Sequence, residues 1–176
     1  MDKQRRAVYV GLTLIEVLVT LTILSSLMSL ALSSYGEIIS DYRPELALKQ
    51  LKRALALART QAASTGNETT ICHLDNNRCI PNTWHKEITV FIDKGDLRVF
   101  DKEDVRLYEI SAIPSTDSID YPRPAIIFNY DASIRGFTNG TFVYCLPEKN
   151  GESLGLEMSV SNTGRARIRD TDKCPL

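Results

Sequence analysis

Hydrophobic positions divide the chain into three stretches with different periods. From Leu12 to Leu32, 21 residues carry a single charge, Glu16. Between residues 47 and 62, Ala47, Leu48, Leu51, Ala54, Leu55, Ala58 and Ala62 recur at spacings of three and four. That is the stripe of an amphipathic helix, with Lys49, Lys52, Arg53 and Arg59 off it. From residue 68 onward the period falls to two and turn residues multiply. Glu68–His73, Ile88–Asp93, Leu97–Phe100, Val105–Ile110, Ala125–Tyr130, Thr141–Leu146, Leu154–Val160 and Arg165–Arg169 each read as short strands.

Punctuation between these runs sets the boundaries. Gly36 and Pro44 interrupt the helical part, and Pro44 is expected to kink or restart it. Gly66, after Ser64 and Thr65, is a candidate C-cap. Asp93-Lys94-Gly95-Asp96, Asn139-Gly140 and Ser161-Asn162-Thr163-Gly164 read as turns, and residues 114–124, with three prolines, as the longest loop. A helix from Leu12 to Ser64 would be roughly 80 Å long. One long N-terminal helix followed by antiparallel strands predicts an α+β domain, a spine laid against a β-sandwich-like sheet.

The first stretch has membrane chemistry. About 20 apolar residues span a bilayer, and Lys3, Arg5 and Arg6 ahead of the run should stay cytoplasmic. Glu16 near one end of such a helix wants a cation. Cleavage after Gly11 would put an α-amine on Leu12, one turn before Glu16, and that amine on a neighbouring chain would suit the carboxylate. An ordinary secretory signal has an apolar region of about 7–15 residues, shorter than this run, and gives Glu16 no place. A plain single-span anchor gives neither Gly11 nor Glu16 a role.

Gly11-Leu12-Thr13-Leu14-Ile15-Glu16 followed by an apolar helix resembles the class III prepilin signal of type IV pilins and type II secretion pseudopilins. The resemblance implies a membrane aspartyl prepilin peptidase that cuts after Gly11 and N-methylates Leu12, which stands where phenylalanine is usual. It also implies that Glu16 helps recruit and register the subunit among other pilins. The expected layout is a leader over 1–11, a transmembrane and filament-core helix over 12–35, an amphipathic helix over 36–66, and a β-rich domain over 67–176. That layout places the chain in the bacterial inner membrane with one pass, its N-terminus cytoplasmic and its C-terminal domain periplasmic, before transfer to a filament.

Composition changes this picture little. The chain has 176 residues, 43% hydrophobic and 24% charged, with a formal net charge of −1, ordinary values for a globular protein. Losing residues 1–11 removes a net +2 and leaves −3, so a polyanion partner must be met by a local patch. Cys72, Cys79, Cys145 and Cys174 fall in the part expected outside the cytoplasm, where an even count favours disulfides. Four cysteines allow three pairings. Cys72–Cys79, closing a short loop, and Cys145–Cys174, tying the tail to the body, are favoured; zinc ligands normally come as tight pairs, which this spacing lacks.

Leu57-Ala58-Arg59, Thr70-Ile71-Cys72, Trp84 and Val90-Phe91-Ile92-Asp93 narrow the resemblance to the GspH/FimT branch of pseudopilins. That branch implies the type IV pilin-like fold, a helix packed on an antiparallel β-sandwich. Its FimT members carry a DNA-binding Gly-Arg-x-Arg element, which maps onto Gly164, Arg165 and Arg167. The residues read the same way by themselves. On a strand, Arg165, Arg167 and Arg169 share one face about 7 Å apart, close to two phosphate steps along one DNA strand. Guanidinium forks bind phosphate oxygens in pairs, and without interleaved aromatics such binding reads no sequence. The competing reading is a solvated strand whose edge charges discourage aggregation, and Asp170, Asp172 and the terminal carboxylate weaken the patch.

Other chemistry is absent from the pattern. His73 and His85 are the two histidines and belong to no nucleophile–base constellation, so no enzyme, cofactor or metal is expected. Asp93, Asp96, Asp101 and Asp104 lack EF-hand spacing and read as a solvated charged loop rather than a calcium site. Trp84 reads as a core or loop anchor. Asn67-Glu68-Thr69 and Asn139-Gly140-Thr141 match glycosylation sequons, which a prepilin signal makes irrelevant. Three functions remain: a DNA-capturing minor pilin near a filament tip, a pseudopilin for protein secretion, and a FimU-like assembly subunit without DNA binding.

Overall fold

A computed structural model describes residues 13–147 and 154–174, with residues 30–40 described by backbone alone. The cleavage residues Gly11 and Leu12 lie outside this set. The chain divides into two compact units, residues 1–41 and 42–176. Helix α1 (Leu14–Thr65) is assigned without a break through Gly36 and Pro44, so Pro44 does not restart it. Thr13 and Glu16 close the helix start reciprocally. The Thr13 N–H donates to Glu16 Oε2 at 2.8 Å and the Glu16 N–H to Thr13 Oγ1 at 3.3 Å, the pairing of a capping box. At the other end Gly66 takes φ +67° and donates its N–H to the Ala62 carbonyl at 3.1 Å, the left-handed cap that glycine allows without a Cβ penalty.

In the first unit the described apolar side chains, among them Leu14, Ile15, Leu18, Leu21 and Leu24, are exposed. Among the described residues no helix is long and apolar enough to cross a membrane. The expected span over 12–35 is only partly covered by them, since the side chains of residues 30–40 are outside the set.

The second unit holds two four-stranded antiparallel sheets. Strands β1 (Glu68–Cys72), β4 (Ile88–Asp93), β5 (Val105–Ile110) and β7 (Ile126–Phe128) form one, in the order β5-β4-β1-β7. Strands β6 (Ser118–Asp120), β8 (Gly140–Cys145), β9 (Gly155–Val160) and β10 (Ala166–Asp170) form the other, in the order β10-β9-β8-β6. A small ribbon pairs β2 (Leu74–Asp75) with β3 (Arg78–Cys79). Leu48, Leu51, Ala54, Leu55, Ala58 and Ala62 of the helical stripe share one core with Ile71, Val90 and Phe128 of the first sheet and Phe142, Met158 and Val160 of the second. Arg43 pairs with Asp117 at 3.1 Å, and the Tyr144 hydroxyl donates to the other oxygen of that carboxylate at 2.6 Å.

Three expectations fail here for physical reasons. Leu97–Phe100 forms no strand beyond an isolated antiparallel bridge between Val99 and Arg78, because Arg98 at φ +65° breaks the extended run. The segment instead caps the outer face of the first sheet. Leu97 and Phe100 pack over Phe91 and Ile127 with the Cys72–Cys79 disulfide beside them, and Phe100 meets Phe91 edge-on at 5.3 Å. Asp93 belongs to this arrangement rather than to a solvated loop. It is 5% exposed and accepts from Thr70 Oγ1 at 2.7 Å and from the Arg98 N–H at 2.8 Å. Burial raises its pKa above the usual carboxylate value. Conversely, the expected loop 114–124 contains β6, where Ile119 is buried between exposed neighbours.

Candidate nucleic-acid interface

Edge strand β10 and its hairpin turn carry the arginines. The Gly164 N–H donates to the Ser161 carbonyl at 2.8 Å and the Ser161 N–H to the Arg165 carbonyl at 3.0 Å. Gly164 at φ +72° closes this three-residue loop as left-handed glycines do in bulged hairpins. Space imposes the same choice: a Cβ there would lie 2.6 Å from Phe128 Cε1. Gly164 is thus fixed by the turn and by close packing. Its contribution to any ligand is to aim the residues that follow.

Along β10 the alternation is as the period predicts. Ala166 and Ile168 pack against the core, while Arg165, Arg167 and Arg169 are exposed. Asp170 falls in phase with Ala166 and Ile168, so it lies on the other face of the strand from the arginines.

Register across the sheet separates the three arginines. Arg169 lies opposite Glu157 and is ion-paired with it. Lys173 Nζ reaches the same carboxylate at 2.7 Å, and Thr171 Oγ1 donates to it at 3.3 Å. The hydrogen bond from Lys173, then that from Arg169, hold the Glu157 carboxyl below its ordinary value despite burial. The Cys145–Cys174 disulfide anchors this end of the tail. Arg169 is therefore engaged within the protein.

Arg165 and Arg167 have no ion-pair partner among the described residues. They line a shallow groove of about 490 Å³ with Asn139, Thr141, Ser159, Ser161 and Thr163. Arg167 lies opposite Ser159, and Ser159 opposite Thr141, so one guanidinium and two hydroxyls run in a row across the sheet. No carboxylate of the described residues lines this groove. Two forked cations surrounded by neutral donors suit phosphate oxygens. The hydroxyl row was not legible in the sequence, because only the pairing of β8, β9 and β10 brings Thr141 and Ser159 to Arg167.

Both disulfides favoured from the sequence are present, Cys72–Cys79 and Cys145–Cys174. Trp84 is a core anchor, 3% exposed, with Nε1 donating to the Arg123 carbonyl at 2.7 Å. His73 Nδ1 lies 2.8 Å from the Glu87 carbonyl oxygen. Asp101 and Asp104 accept backbone N–H groups of Glu103, Lys94 and Asp101, which makes them turn-forming residues.

Comparison with known proteins supports the architecture. A family profile described as type II transport protein GspH matches residues 47–164, more than half the chain, and stops before Arg165. Two crystal structures of the type IV minor pilin FimU from Pseudomonas aeruginosa share the fold. One has a TM-score of 0.54 at 17% identity, covering 75% of this chain and 95% of that one. The other has a TM-score of 0.53 at 18% identity, covering 74% and 99%. No curated protein sequence matches the chain. With its helix-on-two-sheets domain and a profile match over most of that domain, the chain belongs to the GspH family of pilin-like subunits.

Proposed function

We propose that this protein is a minor pilin that captures DNA through Arg165 and Arg167. In this reading prepilin peptidase cuts after Gly11 and methylates Leu12. Residues 12–35 hold the subunit in the inner membrane, and the subunit then joins other pilins near a filament tip. The described apolar side chains of the first unit, exposed as they stand, call for lipid or neighbouring helices around them. Glu16, already at the helix start, would there meet a neighbour's α-amine. Replacing Gly11 by valine is expected to leave the leader attached, read as retained mass at the N-terminus. Normal processing of that variant would remove the prepilin reading.

The carrying observation for DNA is the pair Arg165 and Arg167, exposed, without ion-pair partners among the described residues and set among hydroxyls. Arg169 plays a supporting part, holding Glu157 and the tail in place. Contacts of this kind bind phosphate and read no sequence. Full-length oxidised protein in detergent is expected to bind a short fluorescent duplex, more weakly as salt rises from about 50 to 200 mM. The Arg165→Ala/Arg167→Ala variant should lose most of that affinity and flatten the log–log salt slope by about 2. A wild-type protein that binds no duplex at low salt would refute DNA capture. The family match then favours the second reading, a pseudopilin whose exposed faces meet exported proteins or other tip subunits.

A further inference from the structure

A second groove, of about 660 Å³, lies on the other side of β10. It is lined on the helix by Lys52, Leu55, Arg59 and Ala63, among others, and on the hairpin and strand by Gly164 and Ala166. Alternate residues of one segment, 164 and 166 against 165 and 167, thus line the two grooves in turn. Lys52 and Arg59 are seven residues apart, two helical turns or about 10.5 Å, and so project from one face of α1. Both are exposed, and neither has an ion-pair partner among the described residues, whereas Lys49 pairs with Glu45 at 2.6 Å. No carboxylate of the described residues lines this groove either. Arg59 Cδ lies 3.5 Å from where a Gly164 Cβ would sit, so its stem packs beside the glycine that precedes Arg165.

The strand between the grooves is the edge of its sheet, and among the described residues no strand pairs with its outer side. The Ser161 N–H to Arg165 carbonyl bond fixes the phase of the β9–β10 ladder. In an antiparallel pair every second residue then faces the partner. Arg165, Arg167 and Arg169 turn their backbone groups toward β9, and Ala166 and Ile168 turn theirs outward. The free edge therefore offers N–H donors between two cationic rims. An extended strand of another subunit would also fit such an edge, but would leave four cations unmatched; a polyanion matches them.

We propose that bound DNA crosses the free edge of β10, with Lys52 and Arg59 of α1 supplying a second set of phosphate contacts beyond Arg165 and Arg167. This rests on the DNA reading above and extends its surface from a strand face to a two-sided ridge. Lys52 and Arg59 line the groove together with Leu55 and Ala63, an arrangement in which apolar stems cover an apolar floor and leave charged ends in solvent. Backbone phosphate remains what is recognised.

The test is duplex binding by full-length protein across a salt series. Lys52→Gln/Arg59→Gln is compared with Lys94→Gln/Lys102→Gln, which removes equal charge from the loop between β4 and β5. Circular dichroism confirms the fold of each variant. The helix variant is expected to weaken binding on the order of tenfold or more and to flatten the salt slope by about 2, with little change in slope for the loop variant. Equal behaviour of the two variants, with Arg165→Ala/Arg167→Ala still defective, would overturn the ridge and leave the strand-face reading intact. Wild-type protein that binds no duplex would overturn both. Loss of pilin association in Lys52→Gln/Arg59→Gln with duplex binding intact would overturn the ridge and make the groove a subunit interface.

Discussion

Replacing Trp84 by alanine is expected to cost about 3–5 kcal/mol of unfolding free energy, the range for emptying a large aromatic site. Trp84 joins two parts of the core. Its ring meets Tyr121 at 5.2 Å and Phe142 at 4.9 Å, both edge-on, while Tyr121 and Phe142 stack on each other at 4.0 Å. The Arg123 carbonyl loses its donor as well, a further penalty of about 1–3 kcal/mol if it stays dry. For a folded unit of this size the midpoint should fall by roughly 10 °C or more. Trp84→Phe, which keeps an aromatic ring but loses the N–H and part of the indole volume, should retain more than half of the difference. Thermal unfolding of the oxidised protein measures both variants. A loss below about 1 kcal/mol for alanine would contradict the burial described.

The Cys145→Ser/Cys174→Ser variant is expected to lose about 3–4 kcal/mol, because the bond restrains a long loop, of sequence separation 29, in the unfolded chain. Its pH dependence carries more information than its size. In the intact protein Lys173 and Arg169 depress the Glu157 pKa below 4.5. A depressed carboxylate pKa means that the native state binds fewer protons than the unfolded one. The stabilisation is therefore full above the ordinary value and lost as pH falls through the depressed one. Cutting the disulfide frees the tail that carries Lys173, the largest of these influences, so Glu157 should titrate nearer its ordinary value. The gap between wild type and variant should then be wider at neutral pH than in acid. A gap independent of pH would mean that the tail stays docked without its covalent tie. Fraying would also loosen Arg169 and lower the order of the strand that bears Arg165 and Arg167.

Local period determined much of this protein. The stripe from Ala47 to Ala62 is the buried face of α1. Gly66 caps the helix as its position suggested. Strands β1, β4, β5, β8, β9 and β10 fall where alternation placed them, and the even cysteine count led to the pairs that form. These features depend on neighbours three or four residues apart in a helix, or two apart in a strand, so a linear chain displays them. The arginine alternation belongs with them. It follows from strand geometry alone, and Arg165 and Arg167 stand where it put them.

Pairing over long separations decided the rest. Leu97–Phe100 has the composition of a strand, but a sheet face needing cover drew it into a cap, with Arg98 bent to reach Asp93. Ile119 offers one apolar residue among prolines and polar neighbours, too little for a period, and becomes part of a strand because β8 presents an open edge. Arg169 looks identical to Arg165 and Arg167 in sequence. Only the β9–β10 register sets it against Glu157, a carboxylate buried enough to require a cation. In sequence Lys52 and Arg59 are only charges off a helical stripe, and packing of that stripe into the core is what brings them beside the arginine strand. The sequence by itself thus determined most of the elements and which way their side chains alternate, since both are local. Which charges are neutralised inside the protein and which have no ion-pair partner among the described residues was decided by the tertiary structure, because a charge's partner is set by distance in space.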